Sequence, residues 1–166
     1  MKLILFVLLT SSIASAQTVH VEDDRIVYKG KEKVGGSNHE QLAARARNLV
    51  FDLNGGHEPE SVQVQDGVKL SSEAELKLAA PDREAMKVKY IIQVEVKNES
   101  YDYRIDSVYL IQKEAGEKSS KISSKEVLKK MESSGPVAAS MEKLLNEIDM
   151  RFQKVIDHIN DEMHHG

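Results

Sequence analysis

Cysteine and tryptophan are absent from this 166-residue chain, and phenylalanine occurs only three times. The lack of cysteine excludes a disulfide framework, a thiolate metal centre, a thiol nucleophile and a lipoprotein anchor. The shortage of aromatic rings disfavours stacking platforms for bases or sugars. Long apolar runs are missing too. The longest, residues 3–9, has seven members, against roughly 20 needed to cross a bilayer core, so no transmembrane segment is expected. A dense basic tract is also lacking: Lys118, Lys121, Lys125, Lys129 and Lys130 are interleaved with Glu117, Glu126 and serines, the pattern of a solvated face. With a net charge of −4, nucleic acid and anionic lipid are not the expected partners.

What is present begins with an export signal. Met1-Lys2 precedes the short apolar run, and Ala14-Ser15-Ala16 supplies the small-x-small ending that a signal peptidase accepts. Cleavage is expected between Ala16 and Gln17, which predicts a periplasmic or secreted protein. Of the 166 residues, 16 belong to the leader, leaving 150. That is the size of one ordinary domain, large enough to bury a core without staples. Lys2 is the leader's only charge, so the exported chain carries −5.

Along that chain the apolar period changes repeatedly. Residues 25–29 suit a short strand closed by Gly30. Ser37 and Glu40 have capping-box spacing, and Leu42, Ala46, Leu49, Val50 and Leu53 then recur at helical intervals up to Asn54-Gly55-Gly56. Val62 and Val64 open a strand, Asp66-Gly67 is a hairpin signal, and Val68 to Leu78 returns with a break expected near Ser71-Ser72. After a turn at Pro81-Asp82, the apolar residues Met86, Val88, Tyr90, Ile92, Val94 and Val96 alternate strictly with Lys87, Lys89, Gln93, Glu95 and Lys97, Ile91 excepted. This is a strand with one buried and one wet face, which a bulge near residues 90–92 would put out of phase. Residues 101–111 form the last strand, with Tyr103, Ile105 and Tyr109 in series. Residues 17–112 thus make a β-α-β4 core, and 113–135 a polar linker with a short helix capped near Ser124. Residues 136–166 make a long amphipathic helix and tail, starting at Pro136. The fold class is α+β: an antiparallel sheet of about five strands with two helices on one face.

The strand at 25–29, the helix opening Asn38-His39-Glu40-Gln41-Leu42, the turn Asp66-Gly67 and the pair Tyr90…Tyr101-Asp102-Tyr103-Arg104-Ile105 together resemble a known family. It is the secreted domain-of-unknown-function family with a TATA-binding-protein-like fold, common in Bacteroidota. The likeness runs over residues 25–111; the first helix departs from it by lacking an aromatic in its first two turns. The family has no assigned catalytic residues. The resemblance therefore implies a β-α-β-β-β-β-α fold and an exported location, and no activity.

Chemistry motifs are lacking. There is no Gly-x-Ser-x-Gly elbow and no phosphate loop around Gly35-Gly36 or Gly55-Gly56. His158, Asp161, Glu162, His164 and His165 cluster in a terminal turn, where histidines sit well at a helix C-terminus, and His57 lies among loop residues. No metal, cofactor or catalytic residue is assigned. Alternation puts Tyr101 and Tyr103 on one sheet face and Arg104 on the other. Helix length suggests a contact site: from Pro136 to about Asp161 the helix should outrun the sheet, leaving Ile156, Ile159 and Met163 as an apolar surface for an envelope protein or for self-association. Two functions follow: a non-catalytic, protein-binding envelope module, or a carrier of a small apolar ligand between sheet and long helix, lined by Met86, Met141, Met150 and Phe152.

Overall fold

Strict alternation builds the centre of the molecule. In β6 (Lys87–Lys97) Val88, Tyr90, Ile92, Val94 and Val96 are all buried, while every odd-numbered residue reaches the opposite, wetter face. The computed structural model describes residues 21–78, 86–113 and 119–166. The leader, its cleavage point and the turn at Pro81-Asp82 lie outside the described residues. Around β6 the strands β3 (Tyr28–Lys33), β4 (Glu60–Val64), β5 (Gly67–Lys77) and β7 (Ser100–Lys113) form an antiparallel sheet in the order β3-β7-β6-β5-β4. A sixth strand, β8 (Ser119–Ser123), also pairs with β7. Part of the segment expected as a linker is therefore sheet. A separate two-stranded ribbon, β1 (Val21–Glu22) and β2 (Arg25–Ile26), precedes β3.

β7 pairs with β6 on one side and with two strands in turn, β3 and β8, on the other, and a bulge separates the two stretches. Its pairing with β6 passes from Lys89↔Tyr109 to Ile91↔Asp106, so Ser107 and Val108 together face Tyr90. Ser107 adopts φ 53 to make the kink. The phase then flips: Tyr101, Tyr103 and Ile105 are buried before the bulge, Val108 and Leu110 after it. Tyr109, expected in series with Tyr103 and Ile105, consequently lies on the open face and donates to Glu73 Oε2 at 3.0 Å. The extra residue sits on β7, so β6 keeps its alternation. β3 pairs with β7 up to Ile105 and β8 pairs from Tyr109 onward, one on each side of the bulge.

Two glycines have steric roles. Gly30, expected to end a strand, lies inside β3 opposite Tyr103, and a Cβ there would come within 2.4 Å of the Tyr103 ring. Gly67, expected as a turn residue, begins β5 instead, and a Cβ on it would meet the Val96 carbonyl oxygen at 2.0 Å. The turn itself is Gln65-Asp66, with Asp66 at φ 62. β5 runs without a break through Ser71-Ser72, and Ser72 Oγ accepts from Asn54 Nδ2 at the end of the first helix.

Among the described residues three helices accompany the sheet. In α1 (His39–Leu53) the capping box is Asn38 with Gln41, one residue later than Ser37 with Glu40. Asn38 Oδ1 accepts the Gln41 N–H at 2.9 Å, and Gln41 Oε1 accepts the Asn38 N–H at 3.1 Å. α2 (Ser124–Met131) is capped by Ser123 and Glu126. α3 (Pro136–His165) has 30 residues, about 45 Å of helix. Phe152 lies between Tyr28 and Tyr90, with ring centroids at 4.9 and 5.0 Å. One turn before it Tyr28 Oη donates to Asp149 Oδ1 at 3.0 Å, and two turns after it Tyr101 Oη donates to Asn160 Oδ1 at 2.8 Å.

These anchors correct the expectation of an overhanging end. Ile159 and Met163 are 0% exposed and Ile156 is half-buried. α1 closes over them, with Arg45 Nη1 donating to the Met163 carbonyl at 2.9 Å. The uncovered apolar residues of α3 are Val137 in its first turn and Met150 on its outer side. Ile159 and Met163 belong to the core and Ile156 packs partly against it, so the three do not form the expected contact surface.

Candidate binding site at the free sheet edge

The open face of the sheet is a lattice of cross-strand ion pairs. Glu75 meets Lys87 at 2.7 Å, Glu73 meets Lys89 at 2.5 Å, and Lys97 bridges Glu95 and Asp102 at 2.7 and 3.7 Å. Arg104 Nε bonds Asp106 at 2.8 Å, and its guanidinium also reaches Glu22 at 3.4 Å. Lys121 lies 3.6 Å above the Tyr109 ring. Hydrogen bonds from Lys89 and Tyr109 hold the Glu73 carboxyl below the usual carboxylate range. Both signs alternate across the strands and neutralise each other in place. Tyr101 and Tyr103 point to the core and Arg104 to this face, as alternation requires.

One strand breaks the pattern. In β4 the valines and the polar residues have exchanged faces: Ser61 and Gln63 stand opposite the buried Leu70 and Val68, while Val62 stands opposite Lys69 and is 59% exposed. The register explains this. Gly67 alone tolerates the Val96 carbonyl, which fixes β5, and the two-residue turn then sets Val64↔Gly67. α1 covers β5 and β6. The core-side face of β4 therefore lies beyond the helix and takes polar residues.

Among the described residues β4 is also the terminal strand of the sheet. The Leu78 N–H donates to the Met86 carbonyl at 2.9 Å, and the β5–β6 register is unbroken. By the alternation of an antiparallel ladder, even-numbered residues of β5 bond β6 and odd-numbered ones bond β4. Glu60, Val62 and Val64 accordingly bond inward, and Ser61 and Gln63 direct their main-chain N–H and C=O groups outward. Beside that edge runs a groove of about 390 Å³. Ser61, Gln63, Val68 and Leu70 form its floor; His39, Glu40, Ala43, Ala44, Arg47 and Asn48 of α1 form its wall. His39 Nδ1 is buried there with no hydrogen-bond partner among the described residues. Arg47 makes one exposed ion pair with Glu58 at 3.4 Å.

The histidines weighed in the sequence and assigned no role lie elsewhere. His158 is exposed, and the His164 ring stands 6.3 Å from Tyr101. His57 belongs to the loop after α1, its N–H donating to Asn54 Oδ1 at 2.9 Å. Among the described residues no three His, Asp or Glu side chains converge as metal ligands. The β4 edge is barely legible in the sequence, because the alternation of Val62 and Val64 with Ser61 and Gln63 does not say which face is buried. Its one legible sign is the shortness of the Ser-Val-Gln-Val tract beside a hairpin turn.

No family model and no curated protein matches the chain. Among solved structures it is similar to a TBP-like protein from Parabacteroides distasonis, with a TM-score of 0.66 at 9% identity over 87% of this chain and 96% of that one. It is also similar to a DUF4468 family protein from Bacteroides ovatus, with a TM-score of 0.54 at 13% identity over 85% of this chain and 90% of that one. Order of elements, sheet topology and these two likenesses agree: the chain has the TBP-like α+β fold.

Proposed function

We propose that this chain is an exported, non-catalytic module of the cell envelope that binds protein by adding an extended polypeptide segment to β4. The observation that carries the reading is the uncharged edge Ser61-Val62-Gln63-Val64, with outward main-chain groups at Ser61 and Gln63 beside the α1 groove. Main-chain hydrogen bonds would hold a guest strand whatever its sequence, and alternate guest side chains would enter the groove. The small side chains of Ala43 and Ala44 leave room for them. Export rests on the leader at residues 1–16. The non-catalytic reading rests on the lack of any nucleophile or phosphate motif. A ligand carried between sheet and α3 is disfavoured because Phe152, wedged against Tyr28 and Tyr90, occupies that contact.

Native mass spectrometry of the protein purified from its own envelope tests the proposal. We expect a bound polypeptide mass that disappears in Gln63→Pro, which removes an outward N–H and leaves the inward ladder intact. A lipid-sized mass, or a bound polypeptide indifferent to Gln63→Pro, would overturn it.

A further inference from the structure

The β4 edge is self-complementary. Its outward-bonding residues, Ser61 and Gln63, lie symmetrically about Val62. Two copies of β4 laid antiparallel across a two-fold axis at Val62 would therefore bring Ser61 of each opposite Gln63 of the other, forming reciprocal main-chain hydrogen bonds. Within β4 no charge would face its own kind in that register, since Glu60 falls opposite Val64 of the second copy. On the open face Val62 would meet Val62, two β-branched side chains in a close non-hydrogen-bonded pair. On the groove side the Ser61 hydroxyl would neighbour the Gln63 amide.

The wall of the groove obeys the same symmetry. α1 runs antiparallel to β4, since Arg47 pairs with Glu58 just before the strand while His39 lies at the other end of the groove. A two-fold axis at Val62 passes near Ala43 and Ala44, the small residues in the middle of the wall. It sets Glu40 of one copy toward Arg47 of the other, twice over, and places alanines where the helices face each other. Glu40 and Arg47 are both exposed, and their opposite charges are seven positions apart on one helix face.

We infer that the polypeptide pairing with β4 is a second copy of this chain, in a symmetric dimer with one continuous sheet. The inference rests on the strand-addition reading of β4 and adds the identity of the guest. A closed two-fold contact of this kind uses the same patch on both copies and leaves neither edge free to propagate.

The chain has no cysteine, so a single introduced thiol reports without background. A non-hydrogen-bonded antiparallel pair places Cα atoms about 4.5 Å apart, within disulfide reach. We expect Val62→Cys to cross-link into dimers at least about tenfold faster than Val21→Cys, through the high effective concentration of paired thiols. Val21 is half exposed but lies off this edge. We expect sedimentation of the wild type to show a dimer that Glu40→Arg weakens on the order of tenfold and Glu40→Arg with Arg47→Glu restores. Circular dichroism of each variant separates lost association from lost fold. A monomer at every concentration, with Val62→Cys linking no faster than Val21→Cys, would overturn the dimer. If the same monomer still carried a foreign polypeptide that Gln63→Pro removed, strand addition would stand and only the second copy would fall. A dimer unaffected by Val62→Lys and Glu40→Arg would place the contact elsewhere and overturn the inference.

Discussion

The two edges of the sheet follow opposite rules. β3 closes one side with Lys29, Lys31, Glu32 and Lys33 in six residues, and two of its lysines are tied to acids of neighbouring elements: Lys29 to Glu22, and Lys31 to Asp102 at 3.5 Å. Lysines along an edge repel further strands. β4 closes the other side with a single charge, Glu60, at its start and turns a valine to water. Both edges depend on a glycine, yet Gly30 draws β3 against Tyr103, whereas Gly67 fixes β5 and leaves β4 outside the core. An edge blocked by charge is finished; an edge left neutral beside a groove is available.

The largest effect that can break this contrast is at Gly30. Gly30→Val would drive its side chain into the Tyr103 ring and should destabilise the fold by about 3 kcal/mol or more. Val62→Lys on β4, compared with the wild type at protein concentrations where both are monomeric, should change stability by less than about 0.5 kcal/mol. Urea titration of the two variants compares them directly, and equal losses would mean that β4 is as integral as β3.

The same contrast sharpens in reverse. Lys31→Val with Lys33→Val should give β3 the character of β4 and produce association or precipitation, visible by light scattering. Should the variant stay as well dispersed as the wild type, charge is not what closes that edge.

A smaller effect tests the core between the edges. The Tyr90 hydroxyl has no hydrogen-bond partner among the described residues, and burial pushes its pKa up to about 12. A raised phenol pKa leaves stability intact below about 10, the value in the unfolded chain, and lost as pH rises toward 12. Tyr90→Phe should be neutral or stabilising at pH 7 and should flatten the alkaline decline in thermal melts. Tyr28 and Tyr101, also raised by burial, will keep part of that decline.

The smallest expected effect is on the open face. Hydrogen bonds from Lys89 and Tyr109 lower the Glu73 pKa. Its contribution is present above the ordinary carboxylate range and is lost as pH falls through the folded value. Glu73→Gln should shift the acid limb of the melting profile only slightly, since the pair is solvent-screened.

Much of this architecture was legible in the sequence. The alternation of β6, the stop of α1 at Asn54-Gly55-Gly56, the start of α3 at Pro136 and the α+β class all follow from local periodicity. What was not legible depended on neighbours far along the chain. The bulge at Ser107 reversed the facing of Tyr109 without a glycine to announce it. β8 exists because β7 beyond the bulge offers Tyr109 to Lys113 a free side; nothing in Ser119 to Ser123 demands a strand. Burial of Ile159 and Met163 required α1 to lie over the end of α3, which helix length alone could not reveal. The candidate site was hidden for the same reason: two valines in β4 face outward because of a glycine and a carbonyl on other strands.

The placement of β3 also dictates an order in time. Strands β4 to β8 join mostly through short hairpins and can zip from local contacts. β3 is the first strand of this sheet in the chain yet, among the described residues, pairs only with β7, and its Tyr28 meets Asp149 across 121 positions. Until β7 exists, this charged strand has no partner in the sheet. A chain that emerges from its N-terminus must hold β3 unpaired while the rest of the sheet is made, and its lysines keep that waiting segment soluble.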